Sequence, residues 1–152
     1  MPDDAVALNR ALAHLSVGMG DEHAASDGDI ARFCFGPSPV FQALLAEDAD
    51  GTIVGVAAFS PFFSTVYGSV GMYVSDLWVS EQTRGRQLGQ RLLAAVRGFG
   101  LKAWDASFIR LSVYHDNPKA QAFYERVGFE PTIEAQYMTL VGTAYDALGE
   151  KQ

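Results

Sequence analysis

Apolar residues recur at helical spacing at the start of the chain, at Ala5, Leu8, Leu12 and Leu15, and predict an amphipathic helix that fades into Gly18-Met19-Gly20. Ser26-Asp27-Gly28-Asp29 then has the form of a helix start with Ser26 as its cap, and the short apolar segment Ile30 to Phe35 ends at Gly36-Pro37. From Val40 the helical period is lost. V-F-Q-A-L-L-A-E and T-I-V-G-V-A-A-F-S read as strands joined by the hairpin turn Asp48-Ala49-Asp50-Gly51, and Met72 to Val79 reads as a third strand. Pro61 to Gly71, with Phe62, Phe63 and Tyr67, is expected to be a turn at the sheet end whose aromatic rings make core contacts.

The second half alternates between the two periods. Leu88, Leu92, Leu93, Val96 and Phe99 form the apolar stripe of a helix running to about Lys102, and Phe108 to Tyr114 follows as a strand. Asn117-Pro118 opens another helix, with Ala120, Phe123, Tyr124 and Val127 on one face and Gly128 placed to end it. Phe129 to Ile133 and Tyr137 to Val141 are expected to be two last strands. The predicted class is α/β (α+β): a mixed sheet with helices on both faces, in a single domain over residues 1–152.

Composition narrows the function. A net charge of −7 argues against a nucleic-acid partner, which needs a basic surface, and suits a small cationic substrate. The longest nearly apolar run, Ile53 to Phe63, is too short to span a bilayer, and the start Met1-Pro2-Asp3-Asp4 is not a secretory signal, so a soluble cytoplasmic protein is expected. The single cysteine, Cys34, sits between Phe33 and Phe35 and reads as a small buried apolar side chain. His14, His23 and His115 lack the spacing of a zinc site, so no metal is expected.

One junction stands out. D-L-W-V-S-E-Q-T-R-G-R-Q-L-G-Q, from Asp76 to Gln90, carries an apolar strand into a turn rich in Arg, Gly and Gln and then into the helix R-L-L-A-A-V. A helix start offers unpaired amide donors and the positive end of its dipole, which together hold anions, and Arg84 and Arg86 add charge there. The turn is neither a P-loop, which needs Gly-Lys-Ser/Thr, nor a G-x-G-x-x-G dinucleotide loop.

One helix and one strand later comes L-S-V-Y-H-D-N-P-K-A-Q-A-F-Y-E-R-V-G-F, with Asn117 and Tyr124. Together the two segments resemble the Gcn5-related N-acetyltransferase (GNAT) superfamily, over nearly the whole chain. The resemblance implies a mostly antiparallel central sheet and a direct transfer from acetyl-CoA to an amine. It assigns the pyrophosphate to the turn Arg84, Gly85, Arg86, Gln87, Leu88 and Gly89, with Gln90 beside it. The backbone of Leu77, Trp78 and Val79 would pair with the pantetheine arm where that strand splays from its neighbour, and Asn117 would hold the cofactor from the other side.

The same resemblance makes Tyr124 the proton donor. A phenol with a pKa near ~10 is still protonated when a thiolate, nearer ~8.5, departs, while an alkyl ammonium near ~10.4 needs help to lose its proton. F-S-P-F-F-S-T-V-Y-G-S-V-G-M-Y-V-S-D-L-W-V, together with S-D-G-D-I-A-R-F-C-F-G, looks like the diamine and thialysine acetyltransferase branch. That implies a polyamine or lysine-like acceptor and a homodimer; Asp21, Glu22, Asp27 and Asp29 could attract such an acceptor, but each reads first as part of a solvated loop.

The chain departs from the pattern in three places. Ser75 stands where that branch carries a proton-accepting glutamate, leaving Asp76, His115 or a water chain as base. Gln87 replaces a turn glycine. The chain starts at Pro2-Asp3-Asp4-Ala5, just where the first strand in the family pattern has normally ended, so either the start is truncated or an edge of the expected sheet is missing. An acetyl-CoA-dependent N-acetyltransferase is the favoured expectation, and a degenerate acyl-CoA-binding sensor or interaction module is the alternative.

Overall fold

A computed structural model describes residues 2–83, 87–132 and 135–150. Its contacts group the chain into two compact units, Met1–Tyr114 and His115–Gln152. The first unit opens with helix α1 (Pro2–Gly18) and helix α2 (Asp27–Phe35). Ala5, Leu8 and Leu12 are buried on one face of α1 as the spacing predicts, Ala11 joins them, and Leu15 is only half-buried. Ser26 caps α2 through a reciprocal box: the Asp29 amide donates to Ser26 Oγ at 3.1 Å, and the Ser26 amide donates to Asp29 Oδ2 at 2.9 Å.

Strands β1 (Gln42–Glu47), β2 (Ile53–Ser64), β3 (Ser69–Val79) and β4 (Phe108–Leu111) lie side by side in that order. The first two pairings are antiparallel and β3 with β4 is parallel, so the sheet is mixed and mostly antiparallel. Asp48 makes the first turn work: its Oδ1 accepts from the amides of Asp50 and Thr52, and Gly51 takes φ +80°, which favours glycine.

Alternation along β2 sorts the helices onto opposite faces. Val56 and Ala58 pack with Ala5, Leu8, Ala11, Leu12 and Ile30, so α1 and α2 cover one face. A Cβ on Gly55 would meet Leu88 and Leu92 of helix α3 (Leu88–Trp104), and Phe59 meets Phe99 edge to face, so α3 covers the other. This is the two-faced arrangement expected from the element order.

Three expectations are corrected. Pro61 to Gly71 is not a turn: β2 runs on to Ser64, β3 starts at Ser69, and only Thr65 to Gly68 turn. The rings there gather on Phe108 rather than in the core, with Phe62 and Tyr67 edge-on to it and the Arg110 guanidinium 5.2 Å from the Phe62 centroid. The strand from Phe108 ends at Leu111 and does not reach Tyr114.

The second unit carries helix α4 (Pro118–Val127), started by Pro118 and ended by Gly128 at φ +119° as predicted, and helix α5 (Gly142–Glu150), which the pattern did not suggest. The described residues of the two expected last strands, 129–132 and 137–141, form no strand, and Ile133 lies outside the described residues. Pro131 removes a ladder donor, and apolar alternation makes a strand only where a neighbour supplies hydrogen bonds. Among the described residues, no helix is long and apolar enough to cross a membrane.

Candidate active site

The register of β3 creates an opening. β4 pairs with Gly71, Met72, Tyr73 and Val74 only, while Asp76, Leu77, Trp78 and Val79 continue to pair with β2 through Ala58, Ala57, Val56 and Gly55. Between these stretches the β2 pairing slips, with Phe59 opposite Val74 and Ala58 opposite Asp76, so Ser75 is the extra residue of a β-bulge. Among the described residues, β3 therefore carries no strand on its β4 side beyond Val74. The backbone of Leu77, Trp78 and Val79 lies on that open edge, where an amide-bearing chain can add as a strand would.

The open edge leads into the start of α3. After Ser80, whose amide donates to the Val54 carbonyl at 2.8 Å, a short 3-10 turn spans Glu81–Thr83. Gln87 then takes the cap position in the left-handed region, φ +59° and ψ +22°, and makes no side-chain cap bond. The Arg91 amide closes the first helical bond onto the Gln87 carbonyl at 3.0 Å, so the amides of Leu88, Gly89 and Gln90 have no partner within the helix. Such a donor set fits an anionic group, and the dipole of this 17-residue helix adds to it. Arg84, Gly85 and Arg86 of the expected cradle lie outside the described residues.

Side chains alternate around the opening. Asp76 sits opposite Ala58, on the face covered by α1 and α2, and is half-buried. Ser75 is exposed, and its hydroxyl donates to the Ala58 carbonyl at 3.3 Å. Trp78 carries His14 of α1 stacked on it, with centroids 5.4 Å apart and planes 14° from parallel. At the foot of the opening, the hydroxyls of Tyr73 and Ser112 lie 3.4 Å apart.

In the second unit, Asn117 caps α4, its Oδ1 accepting from the Ala120 amide at 3.2 Å. Tyr124 lies between Phe123 and Phe129, and burial raises the pKa of its phenol above the ordinary 10.0. It is a protonated donor throughout the neutral range.

Three of the four acids at the α1–α2 loop are engaged within the fold. Asp27 accepts from Asn9 Nδ2 at 2.9 Å and Asp29 serves the α2 cap, while Asp21 accepts from the Tyr114 hydroxyl at 2.9 Å. Cys34 packs half-buried against the α1 core, and desolvation raises its thiol pKa, which suits the apolar role. His23 bridges Ser16 and Asn9, at 3.1 Å and 2.7 Å. Neither this network nor the Tyr114–Asp21 bond has a local signal in the sequence, because each joins residues brought together only by the fold.

A mixed sheet whose parallel pair opens beside a helix start offers an edge for an extended, amide-bearing ligand and free donors for an anionic group. The chain belongs to the acetyltransferase (GNAT) family, whose sequence model matches residues 12–129, and it is an N-acetyltransferase. It is 29% identical over 132 residues to a thialysine N-epsilon-acetyltransferase of Mus musculus, covering 82% of this chain and 72% of that one. An uncharacterised N-acetyltransferase of Bacillus subtilis is 32% identical over 87 residues, 57% of each chain.

Among solved structures, an integron cassette protein of V. cholerae superposes with a TM-score of 0.80 at 22% identity, over 99% of this chain and 94% of that one. An aminoglycoside N-acetyltransferase solved in complex with CoA superposes at 0.70 and 19% identity, over 89% and 87%. These two likenesses establish the fold.

Proposed function

We propose that residues 1–152 act as one acetyltransferase domain that moves an acetyl group from acetyl-CoA directly to the primary amine of a small cationic molecule, a polyamine or a lysine-like amino acid. The observation that carries this reading is the open β3 edge from Asp76 to Val79 leading into an α3 start without a side-chain cap. The thialysine acetyltransferase relatives support the choice of acceptor.

Acetyl-CoA supplies an activated thioester whose acyl carbon takes the amine and whose sulfur leaves. The backbone of Leu77, Trp78 and Val79 holds the pantetheine arm in strand-like register and polarises the acyl oxygen. Gln87, Leu88, Gly89 and Gln90, with Arg84, Gly85 and Arg86, hold the pyrophosphate, and Asn117 contributes from its own helix start. Asp76, on the α1 face of the opening, accepts the ammonium proton directly or through water and frees the nitrogen lone pair. As the new C–N bond forms and the C–S bond breaks, Tyr124 would give its proton to the departing sulfur and recover one from the acylated nitrogen through water, while the proton taken by Asp76 passes to solvent. No acyl-enzyme is formed, and Cys34 takes no part.

Thiol release on mixing the protein with acetyl-CoA and a panel of diamines, lysine analogues and aminoglycosides tests the reading. Release with diamines or lysine analogues is the expected result. Two local features favour a second reading, an acyl-CoA-binding module without turnover: Ser75 where a glutamate would act, and Gln87 held at positive φ. Binding of acetyl-CoA without thiol release for any amine would select that module.

A further inference from the structure

Two peptide groups carry the hydrogen-bonding face of the open β3 edge, and both meet at Trp78. The Ser80 amide donates to the Val54 carbonyl at 2.8 Å, which places Ser80 in the ladder with β2. Backbone groups alternate sides along an antiparallel strand. Trp78, opposite Val56, therefore also points its amide and carbonyl at β2, while Leu77 and Val79 point theirs at the opening. The Leu77 carbonyl and the Val79 amide belong to the two planar peptide groups joined at the Trp78 Cα. Any rotation about Trp78 swings the acceptor and the donor that an added extended chain would use.

Among the described residues, β2 holds this stretch from one side only, because β4 pairs no further along β3 than Val74. The indole supplies the second constraint. It lies half-buried on the α1 face, packed against the cluster that includes Leu8, Leu12 and Val56. His14 of α1 stacks on it with ring centroids 5.4 Å apart and planes 14° from parallel, a contact that resists tilting of either ring. His14 itself is exposed, so it steadies the indole while adding little buried area to the fold.

We infer that His14 is a positioning residue for the pantetheine arm: by stacking on Trp78 it fixes the two peptide planes whose Leu77 carbonyl and Val79 amide pair with the arm. The inference rests on the proposed acetyl-CoA reading of the β3 edge and adds to it a residue that acts through another. Its effect is selective. The arm depends on the aim of these two groups, whereas the pyrophosphate is held at the start of α3, by amides that follow Gln87 and make no use of the stack.

Calorimetric titration of the whole protein with CoA and with 3′-phospho-ADP, which is CoA without its pantetheine arm, separates the two contributions without requiring turnover. The wild type should bind CoA the more tightly. His14→Ala should weaken CoA by about three- to tenfold, the scale of one ring stack, and leave 3′-phospho-ADP unchanged. His14→Phe keeps a stacked ring without the imidazole nitrogens and should restore CoA binding. In a Trp78→Leu background, where no indole is left to stack on, His14→Ala should cost nothing further.

Unchanged CoA binding in His14→Ala overturns the inference, as does equal weakening of both ligands, which would mark a general structural loss. A His14→Phe variant as weak as His14→Ala also overturns it, because the ring nitrogens and not the stack would then act. So does a full further loss in the Trp78→Leu background, where His14 would be acting elsewhere. A wild type that holds CoA no more tightly than 3′-phospho-ADP leaves no arm at the edge to be aimed, and sinks it too. Thiol release measured in parallel reports on acetyl transfer separately: selective loss of CoA in a protein that releases no thiol with any amine would remove the transferase reading and leave the stack standing.

Discussion

The hydroxyl of Ser75 donates to the carbonyl of Ala58 at 3.3 Å, on the bulge where β3 changes from pairing on both sides to pairing on one. The bulge turns its extra residue outward, and Ser75 is exposed where the related branch carries a carboxylate. Ser75→Glu is therefore sterically open and adds a base beside the reacting amine. The expected outcome is a rise in kcat of about tenfold or more at neutral pH, with little change in melting temperature. Asp76→Asn in the wild-type background should lower kcat about a hundredfold. If Ser75→Glu leaves kcat flat while Asp76→Asn abolishes turnover, the native Asp76 already supplies all the base the reaction uses.

Gln87 is one of two described non-glycine residues at positive φ. A side chain in the left-handed region costs roughly 1 kcal/mol, and Gln87 recovers none of it through a cap bond. Gln87→Gly should raise unfolding stability by about 0.5–1 kcal/mol and tighten CoA by a few-fold at most, because the backbone already holds the conformation. Gln87→Val, β-branched and worse suited to positive φ, should weaken both. Parallel urea melts and CoA titrations of the two variants measure this, and a tighter CoA complex for Gln87→Val would contradict it.

The α3 face depends on a missing methyl. A Cβ on Gly100 would lie 2.5 Å from Met72 Cγ and 2.7 Å from its sulfur, and Met72 is only 1% exposed and has little room to retreat. Gly100→Ala should destabilise the protein by about 1–3 kcal/mol through overpacking, despite its better helix propensity. Chemical denaturation gives the number, and combining it with Met72→Ala should recover part of the loss. A stabilised Gly100→Ala would mean that helix propensity outweighs the clash.

What the chain announces in advance is what neighbouring residues decide together. The Ser26 cap, the Asp48 to Gly51 turn, the Pro118 start and the Gly128 stop each rest on a few adjacent side chains, and each forms as expected. The β2–β3 hairpin was underestimated because Pro61 and the aromatic run resemble a turn, whereas Pro61 pairs with Met72 inside the ladder. Tyr137 to Val141 has a strand's apolar pattern with no ladder to join, and it is followed by the unforeseen α5. The opening of β3 was expected from the family resemblance alone, since nothing in Leu77 to Val79 marks where a parallel neighbour stops. The tie from Tyr114 to Asp21 could not be read at all: neither residue carries information about the other until the sheet and α1 are assembled.

Tyr124 links the proposed chemistry to pH. Burial raises its pKa above 10.0, so the phenol keeps its proton through the neutral and mildly alkaline range in which a thiolate leaves. Tyr124→Phe should lower kcat about a hundredfold with little change in the KM for acetyl-CoA, because the ring's packing is kept and only the proton is lost. The linkage sign follows from the raised value. Its contribution to stability is fully present below the unfolded pKa of 10.0 and is lost as pH rises through the higher folded pKa, where the unfolded chain ionises first. Alkaline melts of the wild type should therefore fall more steeply than those of Tyr124→Phe. An alkaline limb in kcat centred well below 10.0 that persists in Tyr124→Phe belongs to another group. Unchanged turnover in Tyr124→Phe would remove Tyr124 as the acid and leave water to protonate the sulfur.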